Sequence, residues 1–378
     1  MPPPSGSTLT GLVSFAGQTE SMTRQYDRRK VTLKDVAAQV GVSHTTVSNA
    51  YIRPGQLSAA LREKILAAAQ ELGYTGPDPA AKQLATGRAG ALGFLFSEDL
   101  PYAFTDPAIL SVLNGVARSC DDLETDLALI SAGSNLRNRT APVSLGNAAV
   151  DGYILYSVAP DSRCALMAQQ RNVPLVVVDQ PRLDGVPYVG IDDRGSAYRA
   201  AKTLLELGHR HFGILSLKTA HDGYFGPLTA KRRANIAHST IAMRLEGYLL
   251  ALQEAKIAPE DVPAWEIPIN SEDMGAEGVR HLLNRAQRPT AILAMSDRVA
   301  IGAMQTIRAL GLNIPQDVSI FGFDDIPAAE GADLSTIRQP HERKGTEAVR
   351  LLSAASGSEN VILDTELVLR GSIGPAAP

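Results

Sequence analysis

From Ala91 onward, short apolar runs alternate with amphipathic helical stretches, and this alternation limits the possible folds more than any other feature of the chain. The runs read ALGFLFS, DLALIS, VDGYILYS, VPLVVVDQ, YVGID, HFGILSL, WEIPI, TAILAMS, VSIFGFDD and STIRQP. They are rich in Val, Ile and Leu and lack the polar alternation of a half-exposed sheet. Strands of that kind are covered on both faces, which a parallel sheet flanked by helices provides. The stretch from 91 to 378 is generous for one such sheet and comfortable for two. The expectation is an α/β body of two doubly wound lobes.

Three kinds of protein share that architecture: a dinucleotide enzyme, a periplasmic-type binding protein and the effector domain of a regulator. A dehydrogenase needs Gly-x-Gly-x-x-Gly after its first strand, and GFLFSEDLPYAF has no such turn. The chain has no Walker-type loop, no His-Glu-x-x-His and no Gly-x-Ser-x-Gly. Cys120 and Cys164 form no Cys-x-x-Cys pair, so neither a zinc site nor a disulfide framework is expected, and a reducing cytoplasm is the natural setting. No cofactor and no metal are expected. His209 and His211 in LGHRHFG sit at a helix end and read as capping or surface residues. No run approaches the roughly 20 apolar residues of a membrane span. The first segment has no Lys or Arg before Arg24 and only a brief apolar run, unlike a secretory signal. Residues 1–29 read as a disordered Pro/Gly/Ser tail, with Met22 as an alternative start.

The charge is unevenly spread. Residues 21–88 hold ten Lys/Arg against five Asp/Glu, so a net charge of −4 overall leaves −9 for the rest. A small basic head on an acidic body suggests a nucleic-acid module. Within it, Thr32 is a good N-cap and Leu33, Val36, Ala37 and Val40 recur at helical spacing. Gly41 supplies a tight turn. Ser43 caps a second helix from His44 to about Tyr51, with Val47 and Ala50 facing in and His44, Thr45, Ser48 and Asn49 facing out. A third helix opens at Ser58, carries Leu61, Ile65, Ala68, Ala69 and Leu72 on one face and stops at Gly73. Two helices on a tight turn, braced by a third, make a helix-turn-helix, or else a three-helix piece of a larger core. Asn can pair bidentately with adenine in the major groove, and Thr32, Ser43 and Thr46 lie near helix N-termini where phosphates are held.

VTLKDVAAQVGVSHTTVSNAY followed by LSAALREKILAAAQELGY resembles the DNA-binding headpiece of the LacI/GalR family of bacterial transcription regulators, and the family pattern continues over nearly all of residues 30–372. The resemblance implies a headpiece over 30–76, a hinge helix and linker over 77–90, and a two-lobed, periplasmic-binding-protein-like effector and dimerisation domain over 91–378. It makes the second helix the recognition helix, with His44, Thr45 and Asn49 at base-reading positions. Where the family most often has Arg, this chain has Asn49. Pro77 and Pro79 break the third helix, and AAKQL matches the family's hinge helix, with Asp78, Ala81 and Leu84 at its positions and Leu84 as a minor-groove wedge. Leu84 follows Tyr74 by ten residues where the family usually has nine.

In open α/β sheets ligands lie beyond the C-terminal strand ends, here in the cleft between lobes. The family pattern picks out Asp106, Arg244, Ser296, Asp297 and Asp324 there, and Asn270 is a further candidate for effector contact. Arg244 and Asp324 are assigned to strand-end segments and are expected to meet in the cleft, paired with each other or each bound to hydroxyls of a sugar-like effector. Asp297 reads as the cap of the helix RVAIGAMQTIRAL, and Asp325 as tying off a strand. Some sugar-binding relatives place an aromatic where this chain has Asn270. Residues 218–243 are about a dozen longer than the usual connection and read as a solvated loop, with Lys231, Arg232 and Arg233 as the alternative meeting point for an anionic ligand. The implied protein is a cytoplasmic, homodimeric, effector-controlled repressor on a near-palindromic operator. The competing reading is a sugar-binding protein without DNA function.

Overall fold

A computed structural model describes residues 31–76, 83, 86–132, 148–159, 162–354 and 359–376. The expectations for the 1–29 tail and for Asp78, Ala81 and Leu84 lie outside the described residues. The chain divides into two compact units, one ending at Arg88 and one beginning at Ala89.

The first unit holds α1 (Leu33–Val40), α2 (His44–Ile52) and α3 (Ala59–Leu72). Local chemistry sets each boundary. Ser43 Oγ accepts the Thr46 N–H at 3.0 Å and Ser58 Oγ accepts the Leu61 N–H at 3.3 Å, each satisfying a donor orphaned at a helix start. Gly41, at φ 77°, reverses the chain between α1 and α2, a backbone that a Cβ would disfavour. Val36, Val47, Ala50 and Ile65 are fully buried and lock the three helices together.

The second unit carries two sheets. The first contains β1 (Ala91–Phe96), β2 (Asp126–Ser131), β3 (Gly152–Tyr156), β4 (Leu175–Val178), β5 (Tyr188–Ile191) and β12 (Asn360–Leu363). Its order is β12-β5-β4-β3-β1-β2 and every pairing is parallel. Helices α4 (Pro107–Asp122) and α12 (His341–Ser353) cover one face, and α5 (Arg163–Gln170) covers the other. Two glycines set how closely α4 and α12 approach. A Cβ on Gly115 would fall 1.9 Å from the Glu342 carbonyl oxygen, and one on Gly345 would fall 2.1 Å from that of Val112.

The second sheet contains β6 (Phe212–Ser216), β7 (Gly226–Pro227), β8 (Ala264–Glu266), β9 (Ala291–Ala294) and β10 (Ser319–Phe321), in the order β10-β9-β6-β8-β7. All pairings are parallel except β7 with β8. Helices α6 (Asp193–Glu206) and α8 (Ser239–Glu254) lie on one face, and α9 (Glu272–Leu283), α10 (Asp297–Ala309) and the short α11 (Pro327–Gly331) on the other. The chain passes between lobes three times: at Ile191–Asp193, at Arg338–His341 and at Leu363–Glu366. There β11 (Thr336–Arg338) and β13 (Glu366–Val368) pair antiparallel. No described helix is long and apolar enough to cross a membrane.

Several residues stand elsewhere than the sequence placed them. His209 is not a surface residue: it is 1% exposed, with Nδ1 2.9 Å from Thr290 Oγ1 and Nε2 3.0 Å from the Gly374 carbonyl. Such short apolar-flanked histidines give no sequence sign of which strands will close over them. Asp297 is the first residue of α10 and not its cap. Its carboxylate accepts from the Thr336 hydroxyl at 2.6 Å and the Ile326 N–H at 3.0 Å, and burial lifts its pKa to about 6. Asp325 does tie the strand segments, accepting from Arg338 at 2.7 Å and Arg370 at 2.8 Å. The 218–243 segment is not a plain solvated loop. It contains β7, a short helix α7 (Ala230–Arg233) and the start of α8. Arg232 bonds Glu266 at 2.7 Å and Asp222 at 2.9 Å, and Arg233 donates to the carbonyls of Leu228, Pro259 and Val262. Only Lys231 of that trio remains exposed. Two of the three cations are therefore consumed by the protein's own acceptors.

Candidate functional site

The headpiece offers one polar face. Along α2, His44 and Thr45 are exposed, Thr46, Ser48 and Asn49 are half-buried, and Val47 and Ala50 turn inward. The Asn49 amide donates to Gln56 Oε1 at 3.3 Å, which orients it from beyond the helix end. Ser43 and Thr46 hydroxyls sit 2.8 Å apart at the α2 N-terminus. Thr32 is held by Asp35, whose Oδ2 accepts from the Thr32 N–H at 2.8 Å and hydroxyl at 2.7 Å. Short polar side chains on one helix face, with hydroxyls at helix N-termini, suit contact with base edges and phosphates.

In the body, a cavity of about 140 Å³ opens at the C-terminal ends of β1, β3 and β4 in one lobe and past those of β6 and β8 in the other. Strand order reverses between β1 and β3 in the first sheet and beside β6 in the second, where an open α/β sheet leaves a crevice. Asp106, Arg244, Asn270 and Asp324 all line it, although they come from four distant segments. Ser296 does not. It is 1% exposed and stands behind Asn270, donating to Asn270 Oδ1 at 2.6 Å.

Asp106 caps α4 and joins the lobes. Oδ1 accepts from the Ala108 and Ile109 N–H groups, while Oδ2 accepts from Tyr102 at 2.7 Å, Asn270 at 3.1 Å and Arg298 at 3.4 Å. Arg244 is not in a strand-end segment, because the apolar stripe that follows it continues α8 from Ser239 through Glu254. Nor is it paired with Asp324. Its Nε donates to Asp193 at 2.8 Å, its Nη1 to the Met295 carbonyl at 2.8 Å, and its guanidinium lies 3.7 Å over the Phe323 ring. Burial opposes its charge, but Asp193 and Asp324 together hold its pKa above the usual value. Burial likewise pushes the Asp193 carboxyl up, with Arg244 opposing.

Asp324 accepts from Gln339 Nε2 at 2.6 Å, and burial raises its pKa well above the carboxylate range. Its φ of 126° is strained for a residue with a Cβ, a cost of roughly 1–3 kcal/mol that surrounding structure must hold in place. Lys344, 1% exposed, bridges Gln339 Oε1 and Asp179 Oδ1, each at 2.6 Å. The cavity wall thus carries several polar clusters, two of them tied to lobe crossings through Asp193 and Gln339, with apolar Phe96, Ile109, Tyr156 and Ile241 between. Alternating donors and acceptors on an apolar floor suit a small polyhydroxylated molecule.

Comparison with known proteins decides the family. Residues 32–76 match the family described as bacterial regulatory proteins, lacI family, and residues 201–373 match a periplasmic binding protein-like domain. The HTH-type transcriptional regulator Rv3575c of Mycobacterium tuberculosis is 39% identical, over 93% of this chain and 99% of its own. The chain belongs to the LacI family. Among solved structures, a lac repressor dimer bound to operator and the anti-inducer ONPF is similar with a TM-score of 0.70 and 26% identity, covering 90% or more of both (92% of this chain and 100% of that one). A complex of the transcriptional regulator CelR with cellobiose is similar with a TM-score of 0.64 and 28% identity, over 90% of this chain and 99% of that one. This LacI-family member is a DNA-binding transcriptional regulator with an α/β effector domain, and the relatives it matches are regulators, not enzymes.

Several lining or supporting residues of this regulator were not picked out from the sequence, among them Asp179, Gln180, His238, Gln339, His341 and Lys344. Asp179 and Gln180 end the run VPLVVVDQ, so the rule of polar residues just past a strand was available for them. Gln339 follows STIR in the same way. Lys344 carries no signal, because in HERKGTEAVR it reads as one more charge on an amphipathic helix.

Proposed function

We propose that this regulator is a homodimeric, cytoplasmic repressor that reads a near-palindromic operator through α2 and takes a small sugar-like effector in the interlobe cavity. The observation that carries the reading is the cavity itself, enclosed by polar side chains of both lobes that converge from distant segments. The headpiece is assigned to 30–76, the hinge to 77–90 and the effector and dimerisation domain to 91–378, behind a tail of 1–29. His44, Thr45, Ser48 and Asn49 face base edges, and Thr32, Ser43 and Thr46 face phosphates. Ala81 and Leu84 serve the hinge, with Leu84 as the minor-groove wedge. Asp106, Arg244, Asn270 and Asp324 contact the effector, and Ser296 orients Asn270. The operator-bound lac repressor and the cellobiose-bound CelR support this division of labour by likeness.

Closure of the lobes around a ligand is the step that communicates with DNA. A ligand shifts that equilibrium only through its differential affinity for the two arrangements. Selection of bound sequences from a random DNA pool, using the full chain, is expected to return a dyad-symmetric consensus. Asn49→Ala should weaken binding by about 1–3 kcal/mol and relax one symmetric position per half-site. Asp324→Ala should retain operator binding but lose its response to added sugars. A pool without dyad symmetry, or no retarded DNA at all, would leave a sugar-binding protein without DNA function as the better account.

A further inference from the structure

His238 stands at the end of the 218–243 segment, immediately before α8, 4% exposed and on the cavity wall. Its neighbours decide which ring nitrogen carries the hydrogen. Gln180 Oε1 lies 3.2 Å from the Thr240 backbone nitrogen, which can only donate, and it also accepts from the hydroxyls of Thr240 and Ser239. The Gln180 amide nitrogen therefore faces His238, with Nε2 2.6 Å from Nδ1. An amide N–H donates, so Nδ1 is the lone-pair nitrogen. Burial keeps the ring uncharged, with the His221 ring 4.8 Å away and Lys218 nearby adding to the effect, so that its pKa falls to about 3. A neutral imidazole that accepts at Nδ1 carries its hydrogen on Nε2.

That Nε2 is buried and finds no partner among the described residues. A buried donor left unpaired is costly, and His238 lines the cavity, so an occupant that brings an acceptor to this ring offsets that cost. Charge narrows the occupant further. An anion would join the carboxylates of Asp106 and Asp179 on the wall, and a cation would meet Arg244 and Lys218. At about 140 Å³ the space is smaller than the roughly 300–1,000 Å³ typical of drug-sized ligands.

We propose that His238 is a specificity-determining residue whose Nε2–H donates to a hydroxyl or ring oxygen of an uncharged polyol no larger than a monosaccharide. Gln180 is the positioning residue that fixes the tautomer. The inference rests on the reading of this cavity as the effector site, and it assigns to the 218–243 segment a part in choosing the ligand.

Two measurements on the full chain test it separately. Nitrogen NMR of histidine-labelled protein should show His238 as the neutral Nε2–H tautomer at neutral pH; an Nδ1–H or doubly protonated ring would overturn the donor assignment. Calorimetry with D-ribose, D-glucose and D-galactose, and with D-gluconate as the charged control, tests the ligand class. At least one neutral sugar should bind and gluconate should not. For that sugar His238→Phe should lose about tenfold or more in affinity, since it removes a neutral hydrogen bond and strands a ligand hydroxyl. His238→Gln, whose amide nitrogen reaches the Nε2 position, should stay within about threefold of wild type. Operator retardation should be unchanged in both. Equal affinity of His238→Phe would overturn the donor role, and preference for gluconate would overturn the uncharged ligand. Failure of all three sugars with DNA still retarded would overturn the effector class of the proposed function, while the NMR spectrum decides the tautomer independently of any sugar.

Discussion

In the headpiece, the polar face comes from a single nine-residue helix, α2, and its supports lie within a few positions along the chain. In the body, Asp106, Gln180, Arg244 and Asp324 reach one cavity from four segments spread over more than half the sequence. The headpiece side chains are exposed or half-buried and make few bonds of their own. Those of the cavity are at least nine-tenths buried and joined to one another or to the crossings. The difference fits the roles proposed for the two sites. A surface that reads DNA offers free donors and acceptors, and water satisfies them until DNA arrives. A site that senses a small molecule must hold its groups dry and pre-aimed, so each needs a protein partner.

The contrast can be broken in order of expected effect. Arg244→Ala should be the most damaging single change. It leaves Asp193, 1% exposed, without its guanidinium and should cost the body about 3–5 kcal/mol, seen as a fall in its thermal transition together with loss of any sugar response. A stability within about 1 kcal/mol of wild type would mean that the pair is not closed off from water.

Val47→Ala tests the headpiece in the same way. It removes a fully buried side chain from a small three-helix core and should cost about 2 kcal/mol. DNA retardation should drop sharply while the body's thermal transition and sugar binding hold. Parallel loss of both would show that the two regions do not fold separately.

Acid sensitivity sharpens the comparison between the regions. The folded pKa of His238, about 3, lies below its unfolded value near 6.5, so its contribution to stability is complete above pH 6.5 and is lost as pH falls toward 3. The raised carboxyls of Asp193, Asp297 and Asp324 act in the opposite sense, and comparison with a variant isolates the histidine. Wild type should lose stability relative to His238→Gln by up to about 1.4 kcal/mol for each pH unit below 6.5. Parallel melting curves for the two proteins from pH 7 to 5 would refute this.

The smallest expected effect is Ser43→Ala, which removes the cap on the Thr46 N–H and should cost the headpiece about 1 kcal/mol, with DNA affinity reduced accordingly and the body unmoved. A larger loss of DNA affinity than of headpiece stability would indicate that the Ser43 hydroxyl also contacts phosphate.

The sequence by itself determined the three headpiece helices, the residues facing in and out along α2, and the two-lobed parallel body. Those features rest on local physics: caps at Ser43 and Ser58, a left-handed turn at Gly41, and apolar periodicity that differs between helix and doubly buried strand. The edge strands β12 and β13 were not legible, since their half-exposed residues lack the dense apolar signature of the central strands. Only the tertiary structure decided who partners whom. Arg244 took Asp193 and not Asp324, Lys344 was drawn into the dry interior beside Asp179, and Arg232 was spent on Glu266. A buried charge finds whichever opposite charge the fold brings within about 3 Å, and that distance depends on how helices and crossings pack across the whole body. Spacing along the chain carries no record of it.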